Sequence, residues 1–445
     1  MRLAVLFFIA IFWICACTSD MIVPAQDLHD ELTTLVESAS QTGSVDHYIL
    51  PSHTDLEAIP QDPKNALTHR KVALGQLLFF ETGIGTKANK IEGMETYSCA
   101  SCHIPEAGFR PGRIQGIADG GIGFGNNGDF REINPAYEES ELDVQGIRPL
   151  TVLNVAFVSN TFWNGQFGAN DVNEGTEDLW NEEDNTLVNA LGFQGLEAQN
   201  IEGLGLHRMF IDEERANELG YTSLFDLSFP EYSKEERYSN LTASLAISAY
   251  LRTLTTSQAP FQNWLKGDRN ALTEEQMRGA MVFFSKGNCY TCHTNPSFNS
   301  VRFVGLGVNE LHQSGGIQTT GDEKKSLGRG GFTKLDQDLY KFKIPQLYNL
   351  KNAPFYFHGS SKETLEEVID YFDQGIPENE NVPSSQISPN FKPLNLTAQE
   401  KSDLKEFLAE GLFDPNTNRF VPPYIKSGNC FPNNDELSQQ QLNCN

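Results

Sequence analysis

The chain has 445 residues and a formal net charge of −26, from 33 lysines and arginines against 59 aspartates and glutamates. This length is enough for two domains. The acidic excess argues against binding to nucleic acid, whose phosphates require a basic surface. It suits a basic protein partner, although acidity that only keeps the protein soluble explains the charge equally well.

Residues 1–16 have the pattern of a secretory signal. Arg2 supplies the charged start, and residues 3–14 form an apolar run that is too short to span a bilayer comfortably. The run ends in Ile14-Cys15-Ala16-Cys17, which resembles a bacterial lipobox. This resemblance implies cleavage before Cys17 and a stable lipid anchor on that thiol, in the periplasm or outer cell envelope. Ordinary signal-peptidase cleavage is the alternative.

Two segments repeat one pattern, a short predicted helix that ends in Phe-Phe and is followed by Cys-x-x-Cys-His. This pentapeptide is the attachment signal of c-type haem, because its thiols form thioethers to the porphyrin and its imidazole binds the iron. A zinc pair or a redox dithiol is the alternative, which two copies in an exported, cysteine-poor chain disfavour. We therefore predict two covalent haem c groups. The two copies are Cys99-Ala100-Ser101-Cys102-His103 and Cys289-Tyr290-Thr291-Cys292-His293.

The repeat predicts a mostly α fold, with two cytochrome c-like haem domains in tandem and long loops. Apolar residues at helical spacing over 238–254 predict a long helix between them, which Pro260 would end. The predicted divisions are a tether and wrapping segment at 17–64, an N-terminal haem domain at 65–272, a C-terminal haem domain at 273–415 and a tail at 416–445.

Of the eight cysteines, two belong to the signal and its predicted cleavage site, Cys15 and Cys17, and four belong to the haem motifs. The remaining two, Cys430 and Cys444, lie in the polar tail. Since an exported protein reaches an oxidising compartment, we expect these two to form a disulfide. Two idle thiols are the alternative.

With these motifs in place, the chain resembles the bacterial di-haem cytochrome c peroxidase family, including the methylamine-utilisation type of di-haem oxidase. The resemblance covers residues 65–415, nearly all of the predicted mature protein. It is carried, besides the haem motifs, by Arg148-Pro149-Leu150-Thr151-Val152-Leu153-Asn154-Val155-Ala156-Phe157 with Phe162-Trp163-Asn164-Gly165, by Ala249-Tyr250-Leu251-Arg252-Thr253-Leu254 with Ala259-Pro260-Phe261, by Ile344-Pro345-Gln346-Leu347-Tyr348-Asn349, by Ala353-Pro354-Phe355-Tyr356-Phe357-His358-Gly359 and by Thr364-Leu365-Glu366-Glu367-Val368-Ile369-Asp370.

The resemblance implies reduction of hydrogen peroxide to water with electrons from a small donor such as cytochrome c. One haem would react with peroxide, and the other would receive single electrons from the donor and store the extra one. Two alternatives are a di-haem oxidase that uses peroxide to oxidise another substrate, and a two-haem electron carrier without catalysis. The resemblance also implies a homodimer.

The resemblance assigns His103 as the proximal ligand of the peroxide-reacting haem. In many relatives a loop histidine closes the other side of this iron until reduction. The matching position here is Asp119, and no histidine occurs between His103 and His207. We therefore expect a first haem that is always open, with His207 as a partly exposed helix residue rather than a ligand.

Cleavage of peroxide requires a group that moves a proton from one oxygen to the other, as a carboxylate can. The family glutamate lies in a Leu-Glu-x-Gln segment, which Leu196-Glu197-Ala198-Gln199 matches. Glu197 is therefore the predicted acid–base residue, with Asp171 and Glu174 as alternatives. Thr161 stands where relatives usually have a glutamine beside this site, so that polar contact is expected to be weakened or replaced.

His293 is the matching ligand of the second haem. Peroxidases of the family commonly add a methionine on its other side, but this chain has no methionine after Met281. The matching helix position is Phe372, with Tyr371 beside it, and the oxidase branch uses a tyrosine in that region. Tyr371 is therefore a predicted second ligand. The alternatives are His358, His312, or no second ligand.

Two further features follow from the resemblance. Relatives often place a tryptophan between the haems at the position of Leu153, so this chain is expected to lack an aromatic residue there. A calcium ion between the domains is implied, partly on the backbone carbonyls of Asn352 and Pro354.

Overall fold

A computed structural model of the protein describes residues 25–319 and 322–444. The predicted signal at 1–16 and the predicted anchor at Cys17 lie outside the described residues. As predicted, the described chain is mostly helical. Its α-helices are α1 (Ala25–Ala39), α2 (His69–Phe80), α3 (Gly195–Leu206), α4 (Glu213–Glu218), α5 (Thr222–Ser228), α6 (Lys234–Arg237), α7 (Asn240–Arg252), α8 (Pro260–Leu265), α9 (Glu274–Phe284), α10 (Asp322–Ser326), α11 (Arg329–Thr333), α12 (Leu365–Gln374), α13 (Ala398–Glu406) and α14 (Glu436–Leu442).

Two short antiparallel strand pairs accompany the helices. β1 (Gly121–Ile122) pairs with β2 (Glu132–Ile133), and β3 (Ser300–Val304) pairs with β4 (Phe342–Ile344). Much of the remaining chain forms 3-10 turns and loops. The predicted long loops are therefore present.

Side-chain caps fix the start of the two helices that precede the haem motifs. The Thr68 hydroxyl accepts a hydrogen bond from the amide of Lys71 at the start of α2. The Thr273 hydroxyl accepts one from the amide of Gln276 at the start of α9. Such caps satisfy amides that have no partner inside the helix. Both helices then end in their Phe-Phe pair.

The first hydrophobic core forms where α2 crosses α7. Gly75 lies at this crossing, where a Cβ would come within 1.8 Å of the carbonyl oxygen of Ala246. The predicted helix over 238–254 is present as α7. Pro260 does not end α7; it opens α8 at a position where its missing amide hydrogen is not needed.

The second hydrophobic core forms at the equivalent crossing of α9 and α13. Here a Cβ on Gly279 would come within 1.9 Å of the carbonyl oxygen of Asp403. Gly75 and Gly279 occupy the same position relative to the Phe-Phe pairs that end α2 and α9. The sequence repeat is therefore also a repeat of helix packing.

The N-terminal end of the described chain packs in the second core, and the C-terminal end packs in the first core. Leu32 of α1 and Tyr48 pack in the second core, although they precede the first haem motif. Phe420 and Ile425 of the tail pack in the first core. The predicted disulfide between Cys430 and Cys444 is confirmed.

Within residues 25–319 and 322–444, no helix combines the length and the apolar character that a membrane crossing requires.

Candidate functional site

The two Cys-x-x-Cys-His motifs adopt the same local structure. Each begins with a 3-10 turn, Cys99–Ser101 in the first copy and Cys289–Thr291 in the second. In each copy the histidine amide donates to the carbonyl of the first cysteine, at 3.1 and 3.0 Å. The Phe79 ring lies 6.5 Å from the His103 ring, and the Phe283 ring lies 6.3 Å from the His293 ring.

No disulfide joins the four motif cysteines to one another or to another described cysteine. Burial raises the pKa of Cys99, Cys102 and Cys289 to about 12. A redox dithiol or a zinc pair needs thiolates, which form where the thiol pKa is lowered. No group of three or more histidine, cysteine or acidic side chains in the described ranges is placed to hold a metal ion. These environments fit thioether attachment better than either alternative.

Both motif histidines present one ring nitrogen for metal binding. His103 Nδ1 lies 3.3 Å from the carbonyl oxygen of Phe109, and His293 Nδ1 lies 2.5 Å from that of Phe298. Since a carbonyl only accepts, each Nδ1 carries the hydrogen and Nε2 keeps its lone pair. Burial lowers the pKa of both imidazoles to about 4, which keeps them neutral as ligands must be.

Each motif opens into its own cavity, which we call the first cavity and the second cavity. The first cavity is mostly apolar, with a small number of polar side chains. The second cavity is also mostly apolar. Nine residues line both cavities, and we call them the shared wall: Arg148, Pro149, Leu150, Thr151, Trp163, Lys343, Ile344, Pro345 and Gln346.

Three buried cations beside the cavities fit the carboxylates that a haem brings. Lys343 Nζ donates to the carbonyl oxygen of Asn160 at 3.1 Å, and the Arg148 and Arg110 guanidinium groups also donate to backbone carbonyls. Within the described part of the chain, none of the three forms an ion pair with a carboxylate. Burial lowers the pKa of Lys343 to about 7 and that of Arg148 to about 9.

Buried cations without an anion are costly, so this arrangement calls for negative charge inside the cavities. Each haem carries two propionates. Arg148 and Lys343 belong to the shared wall, and Arg110 lines the second cavity. The residues present therefore fit two haem groups, one beside each motif.

Glu197 is turned away from the first cavity. The Arg252 guanidinium binds both of its oxygens, with Nε 2.8 Å from Oε1 and an Nη 2.5 Å from Oε2. Both side chains are fully buried, and Glu197 is not part of the first cavity wall. The structure therefore places Glu197 in a buried ion pair outside the first cavity wall. The alternatives Asp171 and Glu174 are exposed and also lie outside that wall.

Asp119 is engaged away from the first cavity. Its carboxylate accepts from the Tyr137 hydroxyl at 2.6 Å and from the amide of Asn89 at 2.8 Å, and it also pairs with Arg208. It does not line the first cavity.

His207, in contrast, lines the first cavity directly after α3. Its Nδ1 lies 2.8 Å from Oδ2 of Asp143, which lines the same cavity. The sequence predicts a partly exposed helix histidine at His207. The side chain is indeed 39% exposed, but its place in the cavity and its pairing with Asp143 were missed.

Tyr371 does not face the second cavity. Its hydroxyl donates to the carbonyl oxygen of Leu306 at 2.8 Å, and the adjacent Phe372 lines the cavity instead. The Tyr371 hydroxyl is therefore bonded to backbone outside the second cavity wall. His358 lines the second cavity, with Nε2 3.2 Å from Oε2 of Glu310.

The remaining candidates lie at or beside the cavities. Leu153 and Thr161 line the first cavity. An aromatic residue is nevertheless present between the cavities, because Trp163 belongs to the shared wall and donates from Nε1 to the carbonyl oxygen of Arg148 at 2.7 Å. Neither cavity wall includes His312, Asn352 or Pro354.

The chain is similar in sequence to known proteins over most of its length. The family model described as di-haem cytochrome c peroxidase matches residues 69–270. The cytochrome-c peroxidase IdrP1 of Pseudomonas sp. strain SCT is 25% identical over 391 residues, which are 83% of this chain and 87% of that protein. The methylamine utilization protein MauG of Methylorubrum extorquens is 26% identical over 354 residues, 79% of this chain and 81% of that protein.

The fold has solved counterparts. The crystal structure of a MauG-like protein associated with microbial copper homeostasis superposes with a TM-score of 0.54 at 22% sequence identity, over 85% of this chain and 96% of that one. The family match contains the first haem motif, and the alignments with the relatives extend over most of the chain. The chain is therefore similar to the di-haem cytochrome c peroxidase family, through the family model over residues 69–270 and through relatives aligned over most of its length.

Proposed function

We propose that this chain is an exported di-haem c peroxidase that reduces hydrogen peroxide to water with electrons from a small donor protein such as cytochrome c. The pair of cavities, each with one Cys-x-x-Cys-His motif and with one shared wall, carries this proposal. One peroxide takes up two electrons and two protons and gives two waters. Two one-electron groups in one chain match a donor that delivers electrons singly.

The two motifs hold the haems in this proposal. Cys99 and Cys102 form thioethers to the first haem and His103 Nε2 binds its iron; Cys289, Cys292 and His293 do the same for the second. When bound, the haems supply the redox chemistry and the iron at which peroxide binds. The protein's own part is to orient the haems, to hold their propionates against Arg148 and Lys343, and to exclude bulk water with apolar walls.

The first cavity is the proposed peroxide site, because polar side chains reach it from α3. Gln199 and His207 line it, while α12 presents Phe372 to the second cavity. His358 and Glu310 also line the second cavity, but Glu310 engages Nε2 of His358 at 3.2 Å. The second haem is therefore the proposed electron-transfer site.

Several finer features are part of the same proposal. The haem groups lie in tandem cytochrome c-like domains at 65–272 and 273–415. The chain is exported by the signal at 1–16 to the periplasm or outer cell envelope, held there by lipid on Cys17, and forms a homodimer. A calcium ion binds backbone carbonyls that include those of Asn352 and Pro354.

One observation favours a second candidate, a di-haem oxidase that uses peroxide to oxidise another substrate. Phe372 faces the second cavity where many relatives have a methionine ligand. Loss of a methionine ligand lowers the potential of a haem, and this weakens the match to a standard cytochrome c donor. A non-catalytic electron carrier is disfavoured, because it needs six-coordinate iron at both haems, while Asp119 replaces the loop histidine and no methionine follows Met281.

The test is peroxide consumption by the purified, haem-loaded protein with a reduced small cytochrome as donor. We expect two cytochromes oxidised for each peroxide consumed. A His69→Gln variant, changed at an exposed histidine outside both cavities, serves as a control and should match the parent. Peroxide consumption without donor oxidation would favour the oxidase, and no reaction with peroxide would contradict both enzyme functions.

A further inference from the structure

One face of α3, together with the residue directly after its C-terminal end, lines the first cavity. Gln199, Gly203 and His207 are four residues apart, so they lie on one side of the helix. Gly203 leaves space between the other two, since a Cβ there would meet only the His207 ring, at 3.9 Å. A small molecule in this space would contact His207.

Asp143 fixes how the His207 ring presents itself to that space. The Oδ2 of Asp143 lies 2.8 Å from Nδ1 of His207, and the Asp143 side chain is buried. Because an ionised carboxylate only accepts, Nδ1 carries a hydrogen, and the neutral ring keeps the lone pair on Nε2. A buried aspartate of this kind holds an imidazole in one tautomer and orientation and stabilises its protonated form.

The surroundings of His207 also suit proton exchange. The charge of Asp143 raises the pKa of His207, while burial and the neighbouring Arg208 oppose this shift. His103 also interacts electrostatically with His207. The side chain is 39% exposed, so water can restore or remove its proton between turnovers.

We propose that His207, oriented by Asp143, is the acid–base residue of the first cavity, in the role that the sequence predicted for Glu197. Nε2 accepts the proton of one peroxide oxygen and returns it to the other oxygen. The O–O bond then breaks, and its electron pair leaves with the protonated oxygen as water. The donor supplies two electrons through the haems, and two further protons from solvent convert the remaining oxygen to a second water.

This inference rests on the proposed peroxidase function, so its test includes a ligand that needs no turnover. Hydrogen cyanide must lose its proton before it binds haem iron as an anion, and a nearby base speeds that step. Rapid-mixing rates of cyanide binding and of peroxide reaction are measured for the haem-loaded parent, His207→Gln, Asp143→Asn and the exposed control His69→Gln, each with a resting absorption and EPR spectrum.

We expect His207→Gln to keep the parent's high-spin resting spectrum at the first haem. Both of its rates should fall by roughly 10²-fold or more, as removal of a general base does, while His69→Gln matches the parent. Both rates should fall less in Asp143→Asn than in His207→Gln. The pH midpoint of the Asp143→Asn rates should move down, because loss of the carboxylate charge lowers the pKa of His207 and makes it a base at lower pH.

Two results would overturn the proposal. The first is a parent spectrum that is low-spin and becomes high-spin in His207→Gln, which would make His207 an iron ligand. The second is unchanged rates in His207→Gln. Cyanide rates that fall as expected in a protein that does not react with peroxide would support the base and contradict the peroxidase function.

Discussion

The ion pair between Glu197 and Arg252 is enclosed on all sides, because both side chains have no exposed surface. Asn65 approaches the same carboxylate, with Nδ2 3.4 Å from Oε1. The Arg252 guanidinium also donates to the carbonyl oxygen of Pro60 and to Gln194. Glu197 therefore joins α3 to α7 and to the segment that precedes α2, which is a structural role.

We predict that Glu197→Gln mainly destabilises the fold. It leaves the buried Arg252 charge without its anion, which costs about 3–5 kcal/mol when one partner of a buried pair is removed. Urea unfolding of the haem-loaded protein measures this loss. The double variant Glu197→Leu with Arg252→Met should recover most of the stability, because both charges are removed together.

The peroxide rate of Glu197→Gln also distinguishes Glu197 from His207 as the acid–base residue. We expect folded Glu197→Gln to react with peroxide at a rate close to that of the parent. A variant with unchanged stability and a collapsed peroxide rate would contradict the structural role and restore Glu197 as the acid–base residue.

Lys343 in the shared wall gives a second prediction at the residue scale. Its side chain is buried, and among the residues that the structure describes its hydrogen-bond partner is the backbone carbonyl of Asn160. If it neutralises a propionate, Lys343→Met removes a positive charge that stabilises the reduced haem, and the reduction potential of at least one haem should fall. Redox titration followed by absorption measures the potentials.

Lys341→Met is the matched control for charge. It removes the same charge two residues earlier, at a side chain that lines neither cavity. We expect a smaller fall in the reduction potentials of the haems than in Lys343→Met. Equal shifts in the two variants would show that only the net charge of the molecule matters, and would contradict the pairing of Lys343 with a haem.

At the scale of elements, the two crossings of α2 with α7 and of α9 with α13 set the position of each haem motif. Each crossing depends on a glycine whose Cβ would overlap a backbone carbonyl, Gly75 in the first and Gly279 in the second. Because backbone cannot move aside as a flexible side chain can, the helices themselves would have to separate.

We predict that Gly75→Ala and Gly279→Ala each lower the free energy of unfolding by at least about 2 kcal/mol, as overpacking of a core does. Gly205→Ala in α3 is the control. A Cβ there meets nothing within 4 Å, so the better helix propensity of alanine should raise stability by up to about 1 kcal/mol. Thermal unfolding measures the stability of the three variants. If Gly205→Ala changed stability as much as Gly75→Ala and Gly279→Ala do, and in the same direction, the role of the crossings would be contradicted.

The sequence predicted the elements around each haem motif because their signals are local. The spacing of Cys-x-x-Cys-His, the Phe-Phe pairs and the apolar periodicity of α7 depend on near neighbours along the chain. The direction in which one helix residue points depends on packing with distant segments. Adjacent helix positions differ by about 100°, so Tyr371 packs away from the second cavity while Phe372 lines it.

The same limit applies to Glu197 and His207, because the sequence does not show where each side chain lies relative to the first cavity. Both belong to the α3 segment, and only the packing of α3 against α7 shows which of them faces the first cavity. Asp143 lies 64 residues away from His207, in a loop without regular structure, so no local pattern could connect the two.

At the scale of the whole molecule, the ends of the chain bind the two halves together. α1 packs in the second core, and the tail packs in the first core and reaches its haem motif, where the Ser98 hydroxyl donates to the carbonyl oxygen of Pro432 at 2.9 Å. Such long-range exchange leaves no pattern in the sequence. The segments predicted at 17–64 and 416–445 are separate from the haem domains in sequence, but their residues in the two cores pack together with those domains.

The net charge of −26 leads to a prediction about the donor. A basic donor protein is attracted to an acidic surface over a distance that salt shortens, from about 10 Å at 0.1 M to about 3 Å at 1 M ionic strength. We predict that the rate of donor oxidation falls steeply with salt for a basic cytochrome, and rises or stays level for an acidic one. Steady-state rates with the two cytochromes at matched potentials measure this. A rate with the basic cytochrome that does not depend on salt would mean that the acidity serves solubility, and that donor recognition relies on uncharged contacts.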